Sequence, residues 1–267
     1  MKSVPFALFS ALSVGCLLLA PSPAFASNGA IARGDAITHA PRISLKPSKS
    51  VVGSGYGWAA SNWSGYALSG SVGQYNSITG NWIVPTVQPS TGLTFSSSWL
   101  GIDGFNNTNL IQTGTEQDYY NGAAHYDAWW EILPAAETVI PNMTVNPGDH
   151  MTASITNDGN GQWTITITDV TQNETFTTTQ AYSGPATSAE WIQEAPTIGG
   201  HVATLANYGQ TTFSDGTVNG MKPGLVMSDG GVMIQHRRQV STPSAPDSNK
   251  DAFNIAYGAA APAAPTA

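Results

Sequence analysis

The chain is short of three things: thiols, charge and helix-forming polar residues. Its one cysteine, Cys16, lies in an apolar run near the start, so the rest of the chain has no disulfide, no thiolate nucleophile and no cysteine ligand for a metal. Charged residues make up 10% of the 267. From residue 51 onward four basic residues, Lys222, Arg237, Arg238 and Lys250, stand against sixteen acids, a formal charge of −12. That balance offers no footprint for nucleic acid or for an anionic membrane. Lys and Glu, the usual formers of exposed helices, are scarce, and no twelve-residue amphipathic pattern occurs. Several catalytic signatures are missing as well: G-x-S-x-G, H-E-x-x-H, and the Asp-Thr-Gly or Asp-Ser-Gly of aspartic proteases. His39, His125, His150, His201 and His236 are scattered without ligand spacing, so they read as surface or core histidines, and neither metal nor cofactor is expected.

What is present begins with a leader. Residues 1–26 read as a secretory signal peptide: Lys2, then the apolar run FALFSALSVGCLLLA, then Ala24-Phe25-Ala26 as an A-x-A cleavage site. The run is too short, and too soon followed by Pro21 and Pro23, to span a membrane in a mature protein. The protein is therefore expected to be secreted and extracellular. Residues 27–58 are rich in Ser, Gly and Pro and carry Arg33, Arg42, Lys46 and Lys49 against one acid, Asp35. A flexible linker is one reading. The other is a basic propeptide that sits on the acidic domain at neutral pH and lets go when the carboxylates protonate. Residues 59–257 are expected to form one domain, followed by a disordered Ala/Pro tail, 258–267.

Within that domain the sequence is full of Thr, Ser, Asn, Gly, Val, Ile and aromatics, a composition that argues for strands. The clearest case is DHMTASIT, then NDGNG, then QWTITITDV, then TQNE and TFTTTQ. Trp163, Ile165 and Ile167 share one face and Thr164, Thr166 and Thr168 the other, with Asp158-Gly159 and Asn160-Gly161 supplying turns. Many short strands with turn signals predict an all-β, antiparallel two-sheet β-sandwich.

Alternation then sorts side chains by face. In SSSWLGID, Leu100 and Ile102 point one way and Trp99 and Asp103 the other. In NLIQTGT, Ile111 and Thr113 oppose Leu110, Gln112 and Gly114. In YDAWWEIL, Tyr126, Ala128, Trp130 and Ile132 make an apolar face, which leaves Asp127, Trp129 and Glu131 opposite. In AEWIQEA, Trp191 faces away from Glu190, Ile192 and Glu194. Tryptophan beside carboxylates on several strands suits a groove for an extended ligand.

Four segments in series carry a resemblance: Asn62-Trp63-Ser64-Gly65, WLGIDG with LIQTG, YDAWWE, and AEWIQE. Over about residues 61–240 the chain resembles the glutamic peptidases, the eqolisin family of secreted, pepstatin-insensitive acid endopeptidases. The resemblance implies a concanavalin A-like (lectin-like) sandwich with the site on its concave sheet, and a catalytic pair of Gln112 and Glu194. It implies that Trp99, Asp103, Asp127, Trp129 and Glu131 line the groove or support the pair; Glu190, on the same strand face as Glu194 and four residues earlier, is expected at the rim. Protein or peptide substrates follow, with the chain's own basic leader as a possible inhibitor and a monomer as the expected state. Two departures stand out: the cysteines of fungal members are absent, and Leu133 replaces a tyrosine found two residues after the glutamate of the YDAW-x-E segment.

The chemistry is self-consistent. A glutamate with a reference pKa of about 4.3 can take a proton from water and return it to a leaving amine in acid. A glutamine adds a donor that never titrates. A carbohydrate-binding module or glycosidase on the same sandwich, with Trp99 and Trp129 stacking on sugar rings, is the main alternative. A structural or adhesion domain is the third.

Overall fold

The computed structural model describes Met1 and residues 36–266; the expected signal peptide beyond Met1 and the leader up to residue 35 lie outside the described residues. In chain order the strands are β1 (Ile37–Thr38), β2 (Ser44–Leu45), β3 (Trp58–Ala60), β4 (Trp63–Ser69), β5 (Ser77–Ile83), β6 (Ser97–Ile102), β7 (Ile111–Tyr120), β8 (Ala123–Ile132), β9 (Thr138–Val139), β10 (His150–Gly159), β11 (Gln162–Asp169), β12 (Glu174–Ala181), β13 (Ser188–Glu194), β14 (Thr197–Ile198), β15 (His201–Val202), β16 (Gln210–Val218), β17 (Gly230–Gln235), β18 (Arg238–Pro243) and β19 (Phe253–Tyr257). Among the described residues the helices are α1 (Lys49–Gly53) and a 3-10 turn at Met227–Asp229.

Fourteen of the strands form one ladder, β12-β11-β10-β5-β16-β19-β18-β17-β4-β13-β6-β7-β8-β9, with neighbours antiparallel along it; β3 pairs parallel with β17 and antiparallel with β2, and β1, β14 and β15 form a separate three-stranded sheet. The long ladder folds back on itself near β17 and β18, so that the β5, β10 and β11 region packs on β6, β7 and β13. This is the expected antiparallel sandwich. The core between the layers joins Ile78, Trp82, Ile155, Trp163, Ile165 and Ile167 to Leu100, Ile102, Ile111, Ala189 and Trp191. Each fully buried Ile or Leu contributes about 1.5–3 kcal/mol of transfer free energy.

The predicted meander is present as β10, β11 and β12, with Ile155 opposite Ile165 on the buried side. On the outer side, hydroxyl pairs Thr164–Thr179, Thr166–Thr177 and Thr168–Thr175, 2.9 to 3.1 Å apart, run up the β11–β12 pair. Threonine suits both tasks, since its branched carbon fits the pleat and its hydroxyl finds a cross-strand partner.

Near the C-terminus, residues 258–266 carry no regular secondary structure. They are nevertheless tied to the sheet, because Asn254 Nδ2 donates to the Ala263 carbonyl at 2.8 Å and Gln239 Nε2 to the Ala259 carbonyl at 3.3 Å. No helix among the described residues is long and apolar enough to cross a membrane.

Candidate active site

Strand register assembles the site. Across β13, β6, β7 and β8 the pairings align Glu190, Gly101, Gln112 and Glu131 in one lateral row. The next row holds Ile192, Trp99, Gly114 and Trp129, and the next Glu194, Ser97, Glu116 and Asp127. Because these positions are two residues apart on every strand, all three rows face the same way. Gly114 is required where it stands: a Cβ there would lie 2.4 Å from the Cβ of Trp99 and 2.4 Å from the Ser98 carbonyl oxygen.

The tryptophans form a floor. Trp63, Trp99, Trp129 and Ile192 cluster with Leu110, and Leu133 packs against them. At the position of the family tyrosine the chain therefore offers an apolar contact in place of a hydroxyl. Trp63 meets Trp99 edge to face at 4.9 Å, and Trp129 Nε1 donates to Ser97 Oγ at 3.1 Å.

On that floor Gln112, Glu131 and Glu194 are fully buried. Gln112 Nε2 donates to Glu131 Oε2 at 2.6 Å, which fixes the amide with its N–H side outward. Trp99 Nε1 donates to Glu194 Oε2 at 2.8 Å. Burial pushes Glu131 up to about 8, against the opposing charge and backbone N–H of His39 and with the repulsion of Glu194 and Glu137. Burial also raises Glu194, although His39, Trp99 and Trp63 all favour its charged form.

The groove is occupied by the chain's own leader. Its β1 pairs antiparallel with β14, Ile37 opposite Ile198 and Thr38 opposite Thr197, so a strand is added to the β14–β15 hairpin. His39 follows and meets every member of the expected dyad. Its carbonyl accepts from Gln112 Nε2 at 2.7 Å, its backbone N–H donates to Glu131 Oε2 at 2.9 Å, and its Nδ1 lies 3.0 Å from Glu194 Oε2. Past the dyad, the Ala40 carbonyl accepts from Trp63 Nε1 at 3.0 Å and Asn62 Nδ2 at 3.3 Å. The Arg42 N–H donates to the Gly104 carbonyl at 3.0 Å, and β2 joins β3.

The imidazole lies flat on Trp129, with Nε2 3.1 Å from Glu137 Oε2 and 3.7 Å from Glu116 Oε1. Burial works against a charged ring, but the hydrogen bonds of Glu137 and Glu194 and the charges of Glu194 and Glu131 outweigh it, raising His39 to about 10. The ring nitrogen and the two carboxylates lie within 4.8 Å of one another, the spacing of a cation site. Here the protonated ring supplies the positive charge.

Of the residues singled out in the sequence, Gln112, Glu194, Trp99, Trp129 and Glu131 meet at this point. Asp103 does not join them. Its carboxylate accepts from Tyr182 Oη at 2.7 Å, the Ala186 N–H at 2.8 Å, the Thr187 N–H at 2.9 Å, Thr187 Oγ1 at 3.1 Å and Asn107 Nδ2 at 2.9 Å, tying the 182–187 loop to the end of β6. Asp127 stands exposed at the outer end of the third row, opposite Glu116. Glu190, expected at the rim, is fully buried at the end of the first row. Sequence reasoning missed His39, Glu116 and Glu137. The expectation that every histidine is an ordinary surface or core residue fails at His39. The signal available was the basic leader ahead of an acidic domain.

The comparisons bear on the family and the fold. Residues 61–257 match the Peptidase A4 family. The chain is 29% identical to Aspergillopepsin-2 of Aspergillus niger over 182 residues, 58% of this chain and 63% of that protein, so it spans less than two thirds of that relative's length. It is 30% identical to Scytalidopepsin B of Scytalidium lignicola over 194 residues, 70% of this chain and 72% of that one. The fold matches that of scytalido-glutamic peptidase, solved with a transition state analog inhibitor, at a TM-score of 0.63 and 23% identity, covering 74% of this chain and 98% of that one. With the match spanning β4 to β19, and so every strand that carries the expected pair, the chain belongs to the Peptidase A4 family, the glutamic peptidases.

Proposed function

We propose that the protein is a secreted acid endopeptidase in which Glu194 and Gln112 hydrolyse peptide bonds, and that its basic leader holds the groove shut until acid releases it. The observation that carries this reading is the single peptide residue shared by both groups: Gln112 donates to the His39 carbonyl while Glu194 meets the same residue's side chain. A peptide lying extended through the groove, with a carbonyl on the glutamine, is the arrangement a substrate needs.

In the reaction, water held by Glu194 attacks the carbonyl carbon of a substrate and gives its proton to Glu194. The carbonyl oxygen becomes an oxyanion held by the Gln112 N–H. Glu194 then returns the proton to the amide nitrogen as the C–N bond breaks, leaving a carboxylic acid and an amine. Glu131 orients the Gln112 amide and accepts the backbone N–H of the residue whose carbonyl is attacked. Raising Glu194 above its ordinary value suits a group that must give a proton as well as take one. The sugar-binding alternative has less support, since Trp99 is fully buried and commits its N–H to Glu194.

The leader fits the part of an inhibitor because it occupies the dyad and is recognised on both sides of it. His39 Nδ1 and Trp99 Nε1 both lie on Glu194 Oε2, so the docked leader engages the base itself and is retained in the groove. The test is hydrolysis of denatured casein from pH 2 to 7, with and without pepstatin, beside Glu194→Gln and Gln112→Ala. Acid-range activity is expected to ignore pepstatin. It should fall about a hundredfold to ten-thousandfold in Glu194→Gln and lose about 3–4 kcal/mol of transition-state stabilisation in Gln112→Ala. Near-normal turnover by both folded variants overturns the reading.

A further inference from the structure

We propose that His39 of the leader, with Glu116 and Glu137 of the domain, forms a binding site for a zinc ion, and that the bound metal ties the leader into the groove. The site itself rests on geometry. Its consequence, a leader held more firmly when zinc is present, rests on the proposed part of the leader as an inhibitor and goes beyond it by giving latency a metal.

The ring is arranged as a ligand. A metal-binding histidine donates its other ring N–H to a carboxylate or carbonyl, which fixes the tautomer and aims the second nitrogen's lone pair at the ion. His39 Nδ1 lies 3.0 Å from Glu194 Oε2. With the proton on Nδ1, the lone pair of Nε2 points at two acids, Glu137 Oε2 at 3.1 Å and Glu116 Oε1 at 3.7 Å. Stacking on Trp129, within 5° of parallel, holds the ring in that plane. In the metal-free chain a second ring proton serves Glu137, but one N–H does not satisfy both acids. Glu116 is 3% exposed and its Oε1 accepts no hydrogen bond. A buried carboxylate oxygen without a donor is costly unless a cation stands in front of it.

The spacing and the donor set suit zinc. The three ligand atoms lie within 4.8 Å of one another, and donors about 2.0–2.2 Å from a tetrahedral zinc stand about 3.3–3.5 Å apart, so small movements of the two glutamates toward a fixed ring close the shell. One imidazole and two carboxylates neutralise the ion and leave a fourth position for water. The way in passes Glu137, whose side chain is 9% exposed and whose neighbours Ala136 and Thr138 are exposed. Calcium fits less well, since it takes about six to eight oxygens and has little use for a ring nitrogen. The ligands come from the leader after β1, from β7 and from the segment between β8 and β9. The full set therefore exists only while the leader is docked, and zinc stabilises that state by mass action.

The experiment uses the full chain without a histidine tag, freed of metal by a chelator and held at neutral pH. Zinc chloride is titrated by calorimetry into wild type, His39→Ala and Glu137→Gln. Wild type should take up one zinc per chain, and each variant should bind it at least about tenfold more weakly, the lower end of what a metal site loses with even an outer partner. Cobalt(II) in place of zinc should give wild type the visible absorption of a four-coordinate site and give neither variant that absorption. Zinc should also raise the Tm of wild type and leave that of His39→Ala unchanged. A wild type that binds no zinc overturns the site, as does binding that both variants keep in full with native circular dichroism, which would move the metal to another histidine. The lag in casein hydrolysis after transfer to acid is read separately. A lag lengthened by zinc and shortened by chelator supports the metal's part in retention, and a lag indifferent to both overturns that part. Zinc bound through His39 and Glu137 with no hydrolysis under any condition sinks the peptidase reading and leaves the site standing.

Discussion

The ring of His39 lies 3.6 Å from the indole of Trp129 and within 5° of parallel, and it places Nδ1 3.0 Å from Glu194 Oε2. One leader residue thus covers the Trp129 floor and meets Glu194, the proposed base. The sign of the pH effect follows. Docking raises His39 from 6.5 to about 10, so it takes up a proton, and this part of the docking energy is present below 6.5 and lost as pH rises through 10. Docking also favours the charged form of Glu194, so that part is lost as pH falls through the carboxylate range. Retention is strongest between the two limits. Wild-type chain purified at neutral pH should show a lag in casein hydrolysis after transfer to acid, and His39→Ala should hydrolyse without one. Equal lags would assign latency to another part of the leader.

Trp99→Phe keeps the floor and removes the N–H that donates to Glu194 Oε2 at 2.8 Å. A hydrogen bond to a charged group is worth about 1.5–3 kcal/mol, so kcat/KM should fall roughly ten- to hundredfold. The pH profile gives the more specific readout. The Trp99 N–H favours ionised Glu194, and without it the carboxyl rises further. The acid limb of kcat/KM should then move to higher pH, a displacement that loss of packing alone does not produce.

Much of this arrangement was legible in the sequence because strand alternation is strict. The opposition of Trp99 to Leu100, and of Asp127, Trp129 and Glu131 to Ala128 and Trp130, follows from a period of two, and the buried clusters respect it. Two things were hidden. Alternation states which face a residue takes but not how far along the row it lies, so Asp103 and Glu190 were grouped with the dyad or its rim although they end elsewhere in the sheet. His39 was hidden for another reason. It sits in a leader with little regular structure, and its place is set by partners up to 155 residues away in sequence.

Asp103 provides a control. Its carboxylate accepts five hydrogen bonds from the 182–187 loop and Asn107, and none from Gln112 or Glu194. Asp103→Ala leaves a buried phenol and two buried or half-buried backbone N–H groups without their acceptor, each costing about 1–3 kcal/mol. The denaturant midpoint should drop by several kcal/mol of stability, while kcat of the protein that remains folded stays near wild type. A large fall in kcat at unchanged stability would return Asp103 to the reacting machinery.

The last expectation concerns the whole domain. Burial raises Glu116, Asp118, Glu190 and Glu194 above their ordinary values, and Glu131 to about 8. A carboxyl raised on folding contributes stability that is full below its unfolded pKa and is lost as pH rises through its folded one. His39, raised to about 10, works in the same sense. The folded domain therefore holds more protons than the unfolded chain from about pH 4.5 upward, and each extra proton costs about 1.4 kcal/mol of stability per pH unit gained. Urea denaturation should give a more stable domain at pH 4 than at pH 8, the reverse of ordinary acid denaturation. Glu190→Gln isolates one contribution, because Glu190 is fully buried and lies outside the dyad's contacts. The variant should match wild type at pH 4 and exceed it at pH 8, where the wild-type carboxyl must either ionise in the core or hold its proton against solvent. Parallel stability curves for the two proteins would mean that Glu190 does not titrate on unfolding.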